Sequence, residues 1–158
     1  MAPYVAVCGP DPAPPHVAQQ AEEVGRLLAL AGATLVCGGL GGTMEAACRG
    51  AASEDGTTVG ILPGSDRVRA NAHLTVSIPT GMGEMRNTLI VRSADALIAI
   101  AGEFGTLSEI AFALKTGVPV VGLGTWELAK RGQAVEAFLR VESPAEAVRE
   151  ALRLAGRS

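Results

Sequence analysis

Residues 98–109 read IAIAGEFGTLSE, and this stretch constrains the fold more than any other. An apolar run over 96–101 breaks at Gly102, passes Gly105, and continues through Thr106 and Glu109 into an amphipathic segment. The apolar run is a buried strand, the glycines permit a tight reversal, and threonine followed by an acid suits a helix's first turn. The first backbone N–H groups of such a helix have no acceptor within it and point outward, so the turn suits an anion, above all a phosphate. The pattern occurs twice. Residues 34–37 form an earlier apolar run, followed by Gly38, Gly39, Gly41 and Gly42, with Thr43 and Glu45 opening another helix. A glycine turn between strand and helix also occurs where no ligand binds. Two of them, each with a Gly-Thr dipeptide and a glutamate, point to a cleft for a phosphorylated molecule.

The rest of the chain repeats the same alternation. Strand-like runs at 4–8, 34–37, 57–62, 74–78, 96–101, 118–123 and 138–141 are separated by helix-period segments at 17–31, 43–53, 85–92, 106–116 and 144–155. The last helix carries its own start signal: Ser143 as cap, Pro144 at the first position and Glu146 three residues after the cap. Strands that are almost continuously apolar need cover on both faces, which predicts an α/β fold: a Rossmann-like, doubly wound, mainly parallel sheet with helices on each side. In such sheets ligands bind beyond the strands' carboxyl ends, where both glycine turns fall. The length, 158 residues, predicts one domain over 1–158.

Composition removes several function classes. The net charge is −3 with no basic block, and the five aromatics (Tyr4, Phe104, Phe112, Trp126, Phe138) are scattered, so a nucleic-acid partner is not expected. No apolar run reaches membrane-spanning length, and the start, MAPYVAVCG, shows no secretory pattern, so a cytoplasmic protein without membrane contact is expected. Cys8, Cys37 and Cys48 are odd in number and lie in or beside apolar runs, which predicts reduced, core-forming thiols. With His16 and His73 isolated, no metal site is predicted.

The order of three segments resembles the LOG family of Rossmann-like nucleotide-binding proteins. Its G-G-x-G-T-x-x-E pattern is met at Gly102, Phe104, Gly105, Thr106 and Glu109; its earlier glycine turn matches Gly38, Gly39, Gly42, Met44 and Glu45; and GMGEMRN over 81–87 matches its methionine- and arginine-containing segment. The similarity runs from about Tyr4 to Trp126 and is strongest to a short bacterial branch that includes proteins likened to molybdenum-cofactor carriers. The resemblance implies hydrolysis of a nucleoside 5′-monophosphate at its N-glycosidic bond, with Arg86 and Glu109 catalytic. It further implies a ligand site formed by Gly38, Gly39, Gly42, Thr43, Met82, Gly102, Phe104, Gly105 and Thr106, no required cofactor, and a homodimer joined through helices at 85–92 and 106–116. The alternative it implies is a non-catalytic carrier or sensor that holds a nucleotide or the molybdenum cofactor.

The chemistry fits the first reading. A carboxylate beside an oxocarbenium-like ribose stabilises positive charge or activates water, and a guanidinium polarises the departing base. Each residue also has a plainer role open to it: Glu109 as a helix-start acid, Arg86 as a solvated residue or partner of Glu84, and Arg92 with Asp95 as a pair closing a helix end. Met82 and Met85 also suit core filling. Four positions depart from the family pattern. Glu103 replaces a glycine in the phosphate turn, Ala101 replaces a proline, Asn87 stands in place of lysine, and Ser108 replaces an acid. A negative side chain at the turn and one cation fewer are tolerated by binding more easily than by catalysis.

Overall fold

The computed structural model describes residues 1–156. Its strands are β1 (Tyr4–Cys8), β2 (Thr34–Cys37), β3 (Thr58–Leu62), β4 (Val76–Pro79), β5 (Ala96–Ile100), β6 (Val120–Leu123), β7 (Ala129–Lys130), β8 (Gln133–Ala134) and β9 (Leu139–Val141). Seven of them form a parallel sheet in the order β4-β3-β2-β1-β5-β6-β9, while β7 and β8 form a separate antiparallel hairpin. The helices are α1 (Pro15–Leu30), α2 (Thr43–Ala52), α3 (Asn87–Arg92), α4 (Phe104–Thr116) and α5 (Pro144–Ala155), with a single 3₁₀ turn over Gly83–Arg86 running into α3.

The two-residue period of the strands divides the core between the sheet's faces. Val5, Val7, Leu35, Ile98 and Ile100 meet the buried sides of α1, α2 and α5. Ala6, Cys8, Val36, Leu97 and Ala99 meet Ile90, Val91, Ile110 and Ala113 of α3 and α4. The continuous apolar strands are thus covered on both faces, the condition under which an all-parallel sheet is stable. The chain moves outward in one direction from β1 through β2 and β3 to β4, then returns to β1's other side with β5. That reversal leaves a crevice between the carboxyl ends of β1 and β5.

Local expectations were met with adjustments. Ser143 caps α5, its hydroxyl accepting the Glu146 N–H at 3.2 Å. Helix α4 begins at Phe104 rather than Thr106, because the reversal is completed at Ala101 and Gly102, both at positive φ. The helix expected over 85–92 divides into the 3₁₀ turn and the six-residue α3. Arg92 and Asp95 do not pair: the Asp95 carboxylate accepts the Tyr4 N–H at 2.8 Å, and the Arg92 guanidinium lies 5.7 Å from the Phe112 ring centroid. The hairpin of β7 and β8 has no apolar alternation in sequence; Arg131 and Gly132, both at positive φ, make its turn. All three cysteines are free and buried, with Cys37 and Cys48 sulfurs 3.5 Å apart.

Candidate functional site

A cleft of about 440 Å³ opens at the crevice, between the ends of β1, β2 and β3 and the first turns of α4. Its base is Arg86. The 3₁₀ turn delivers this side chain inward, leaving it 8% exposed. Nε donates to the Ile61 carbonyl at 2.8 Å, Nη2 to the Gly38 carbonyl at 3.4 Å, and Nη1 to Oδ1 of Asn87. All three acceptors are neutral. Burial pulls the guanidinium pKa down, and the nearby Glu109 and Glu84 carboxyl groups pull against that shift; an arginine nonetheless remains charged. Gly38 is needed for this seating, since a Cβ there would lie 2.6 Å from Nη2 and 2.8 Å from the Met44 sulfur.

Glu109 faces the same cleft from α4 and is 7% exposed. Burial raises its carboxyl pKa to about 7, against the opposing effects of the Cys8 thiol and the Arg86 charge. Cys8, the last residue of β1, is itself pushed upward by burial and by Glu109, so it stands as a thiol donating toward the carboxylate. Above them lies the start of α4. Glu103 is its extended N-cap residue and its side chain makes no cap, while its carbonyl accepts the Leu107 N–H at 3.0 Å. The N–H groups of Phe104, Gly105 and Thr106 therefore belong to the turn that has no intrahelical acceptors. Gly105 and the buried Thr106 line the cleft, as do the carboxylate-bearing Asp11, Glu84 and Glu103.

The structure brings Arg86, Glu109, Gly38, Gly105 and Thr106 together in this cleft. The other residues expected at the ligand lie elsewhere. Gly39 packs against Gly60 and Leu62, and Gly42 against Pro10 and Asp11. Thr43 is wholly buried, donating to the Pro10 carbonyl from its N–H at 3.0 Å and its hydroxyl at 2.8 Å. Gly102 lines a neighbouring chamber, Phe104 is exposed with its ring centroid 5.7 Å from that of Trp126, and Met82 is partly exposed outside the cleft. Glu84 and Arg86 make no ion pair. Cys8, Asp11 and Asn87 line the cleft without having been picked out as ligand residues. The available signal for Cys8 and Asp11 was their place at and just after a strand's carboxyl end. Among the described residues no cluster of three or more His, Cys, Asp or Glu is arranged to hold a metal ion, and no helix is long and apolar enough to cross a membrane.

A doubly wound parallel sheet with an anion-ready helix start over its crevice is the fold of Rossmann-like nucleotide-binding proteins. Within that class, the SLOG cluster4 family matches residues 2–148, and the chain belongs to this family. An uncharacterized protein of Archaeoglobus fulgidus is 44% identical over 128 residues, which are 81% of this chain and 80% of the relative. The molybdenum cofactor binding protein of Rippkaea orientalis superposes with a TM-score of 0.86 at 34% identity, covering 97% of this chain and 96% of that one. The molybdenum cofactor carrier protein of Chlamydomonas reinhardtii superposes at 0.87 with 30% identity, over 99% of this chain and 100% of that one. DNA processing protein A of Helicobacter pylori matches at 0.72 with 18% identity over 97% of this chain and 81% of its own, a likeness of fold alone.

Proposed function

We propose that the cleft binds a phosphorylated, amine-bearing heterocycle and holds it without cleaving it, and that the cargo is the molybdenum cofactor, a phosphorylated pterin. The observation that carries this is the Arg86 guanidinium, buried at the cleft base with only neutral hydrogen-bond acceptors. A buried charge without a counter-charge in contact costs several kcal/mol, which an incoming phosphate offsets. The α4 amides and the Thr106 hydroxyl add donors to the same anion. Similarity over almost the whole chain to two proteins named for this cofactor supports the choice of cargo. The four carboxylates around the cleft disfavour a ligand that is anionic throughout and favour one that joins its phosphate to a neutral, hydrogen-bond-donating portion. Cofactor released from a molybdoenzyme and passed with the protein through gel filtration should co-elute as molybdenum with the chain. Arg86→Ala should lose it, and co-elution unaffected by that variant would sink the reading.

One observation favours a second reading, the phosphoribohydrolase. Glu109, with its pKa raised to about 7, is poised for proton transfer at neutral pH beside a guanidinium. In that reading Arg86 polarises the departing base and Glu109 takes the proton of the attacking water as the C1′–N bond breaks. Free adenine from AMP, abolished by Glu109→Gln, would establish it. Neither reading requires a resident cofactor. We also infer a homodimer formed through the face of the 3₁₀ turn, α3 and α4, where Met85 and Leu89 stand exposed; a monomer in light scattering at micromolar concentration would end that inference.

A further inference from the structure

A second chamber, of about 680 Å³, opens beside the cleft beyond the ends of β1, β5 and β6. Pro10, Asp11 and Glu103 line both spaces and form a saddle between them. Arg86 and Glu109 do not line the second chamber; its own walls include His16, Thr125 and Trp126, the chain's single tryptophan. The indole is fixed in place. Its Nε1 donates to the Glu103 carbonyl at 3.2 Å, and the Phe104 ring braces it at a centroid distance of 5.7 Å. Thr125 ties the same loop back, its hydroxyl donating to the Ala101 carbonyl. Neither the Asp11 nor the Glu103 carboxylate has a hydrogen-bond or ion-pair partner among the described residues.

We propose that this second chamber is the ring subsite, taking the neutral, amine-bearing heterocycle of the ligand against Trp126 while its phosphate stays in the first chamber. The inference rests on the phosphate-binding reading above and adds where the ring goes. Two unpartnered carboxylates on the saddle repel phosphate, so the phosphate stays on the Arg86 side. The same carboxylates accept from hydroxyl or amino hydrogens that cross the saddle, as an acid accepts from ribose in other doubly wound proteins. A fixed indole then offers a stacking partner to any planar heterocycle. This placement also separates holding from cleaving. With the ring beyond the saddle, the bond joining it to the rest of the ligand lies away from Glu109, and binding proceeds without hydrolysis.

The test uses GMP, whose guanine shares the 2-amino-4-oxo edge of a pterin, with inorganic phosphate as the ringless control. Binding is followed by calorimetry, and Trp126 emission is recorded in the same titrations. The expected result is quenching by GMP, none by phosphate, and on the order of a tenfold loss of GMP affinity in Trp126→Leu with phosphate affinity unchanged. Asp11→Asn should weaken GMP and leave phosphate binding intact or stronger. GMP heat with unchanged emission, and equal affinity in Trp126→Leu, overturns the ring subsite while leaving the phosphate site standing. Absence of heat with both GMP and phosphate overturns the phosphate site itself, and the ring subsite with it.

Discussion

The two strand–glycine–helix turns are written in nearly the same residues, yet the fold uses them differently. At the turn between β2 and α2, the chain fills its own helix start: the Thr43 N–H and hydroxyl both go to the Pro10 carbonyl, and Gly42 lies against Pro10 and Asp11. At the turn between β5 and α4, nothing lies within 4 Å of where a Gly105 Cβ would stand, and Gly105 and Thr106 face the cleft. A helix N-terminus holds a ligand only where the rest of the chain has not already occupied it. The first turn therefore serves the site indirectly, through Gly38 and the backbone that receives Arg86. The second turn faces the open cleft.

Four measurements would sharpen or break that contrast. The largest effect belongs to Arg86, which reaches the Gly38 carbonyl of the first turn and lines the same cleft as Gly105 and Thr106 of the second. Arg86→Ala should weaken GMP binding by about 3–4 kcal/mol, several hundredfold, because it removes a desolvated charge from a charge pair. Unaltered calorimetric affinity would dissociate the two turns.

Next come the glycines. Gly42→Ala should destabilise the protein by about 3 kcal/mol in urea unfolding, since its φ is +60° and a Cβ would meet the Pro10 carbonyl oxygen at 2.6 Å. Gly105→Ala should leave stability within about 0.5 kcal/mol of wild type and lower GMP affinity instead. Equal stability losses at both positions would mean the turns are not distinct in use.

The third measurement is pH dependence. The folded pKa of Glu109, about 7, lies above its ordinary value of 4.5, so the fold prefers the protonated form. The stability this contributes is fully present below pH 4.5 and is lost as pH rises through 7. From pH 5 to pH 8 the loss should be about 2–3 kcal/mol, and Glu109→Gln should abolish that part of the profile. Phosphate binding should weaken over the same interval, as the ionising carboxylate joins the cleft's other acids. A variant profile identical to wild type would place the titration elsewhere.

The smallest effect concerns Glu103, an exposed acid at the open turn. Glu103→Gln should strengthen inorganic phosphate binding two- to fivefold, less than about 1 kcal/mol, and the gain should shrink as salt is added. A weakened affinity would show that the carboxylate assists the anion.

Much of this was legible before folding. The alternation of apolar strands and helix-period segments predicted the doubly wound layer, because a strand without a polar face must be covered on both sides. The Ser143 signal placed α5 for a local reason: a cap is a contact between neighbours in sequence. The hairpin of β7 and β8 was hidden, having two-residue strands and no periodicity to read. Arg92 and Asp95 looked like neighbours in sequence but found Phe112 and Tyr4, each far along the chain.

The sequence by itself determined the family, the layer architecture and the presence of two glycine turns with an arginine and a glutamate to serve them. The layer follows from short-range periodicity, whereas the family and its arginine and glutamate follow from three motif segments that resemble the family's in the same order. Tertiary structure alone decided that one turn closes on Pro10 while the other opens to a cleft. It also decided that Arg86 is held by Ile61 and Gly38 rather than Glu84, and that Glu109 is buried deeply enough to hold its proton near neutrality. These outcomes depend on which backbone carbonyl or apolar wall arrives from a distant segment, and burial and charge compensation exist only once those segments have met.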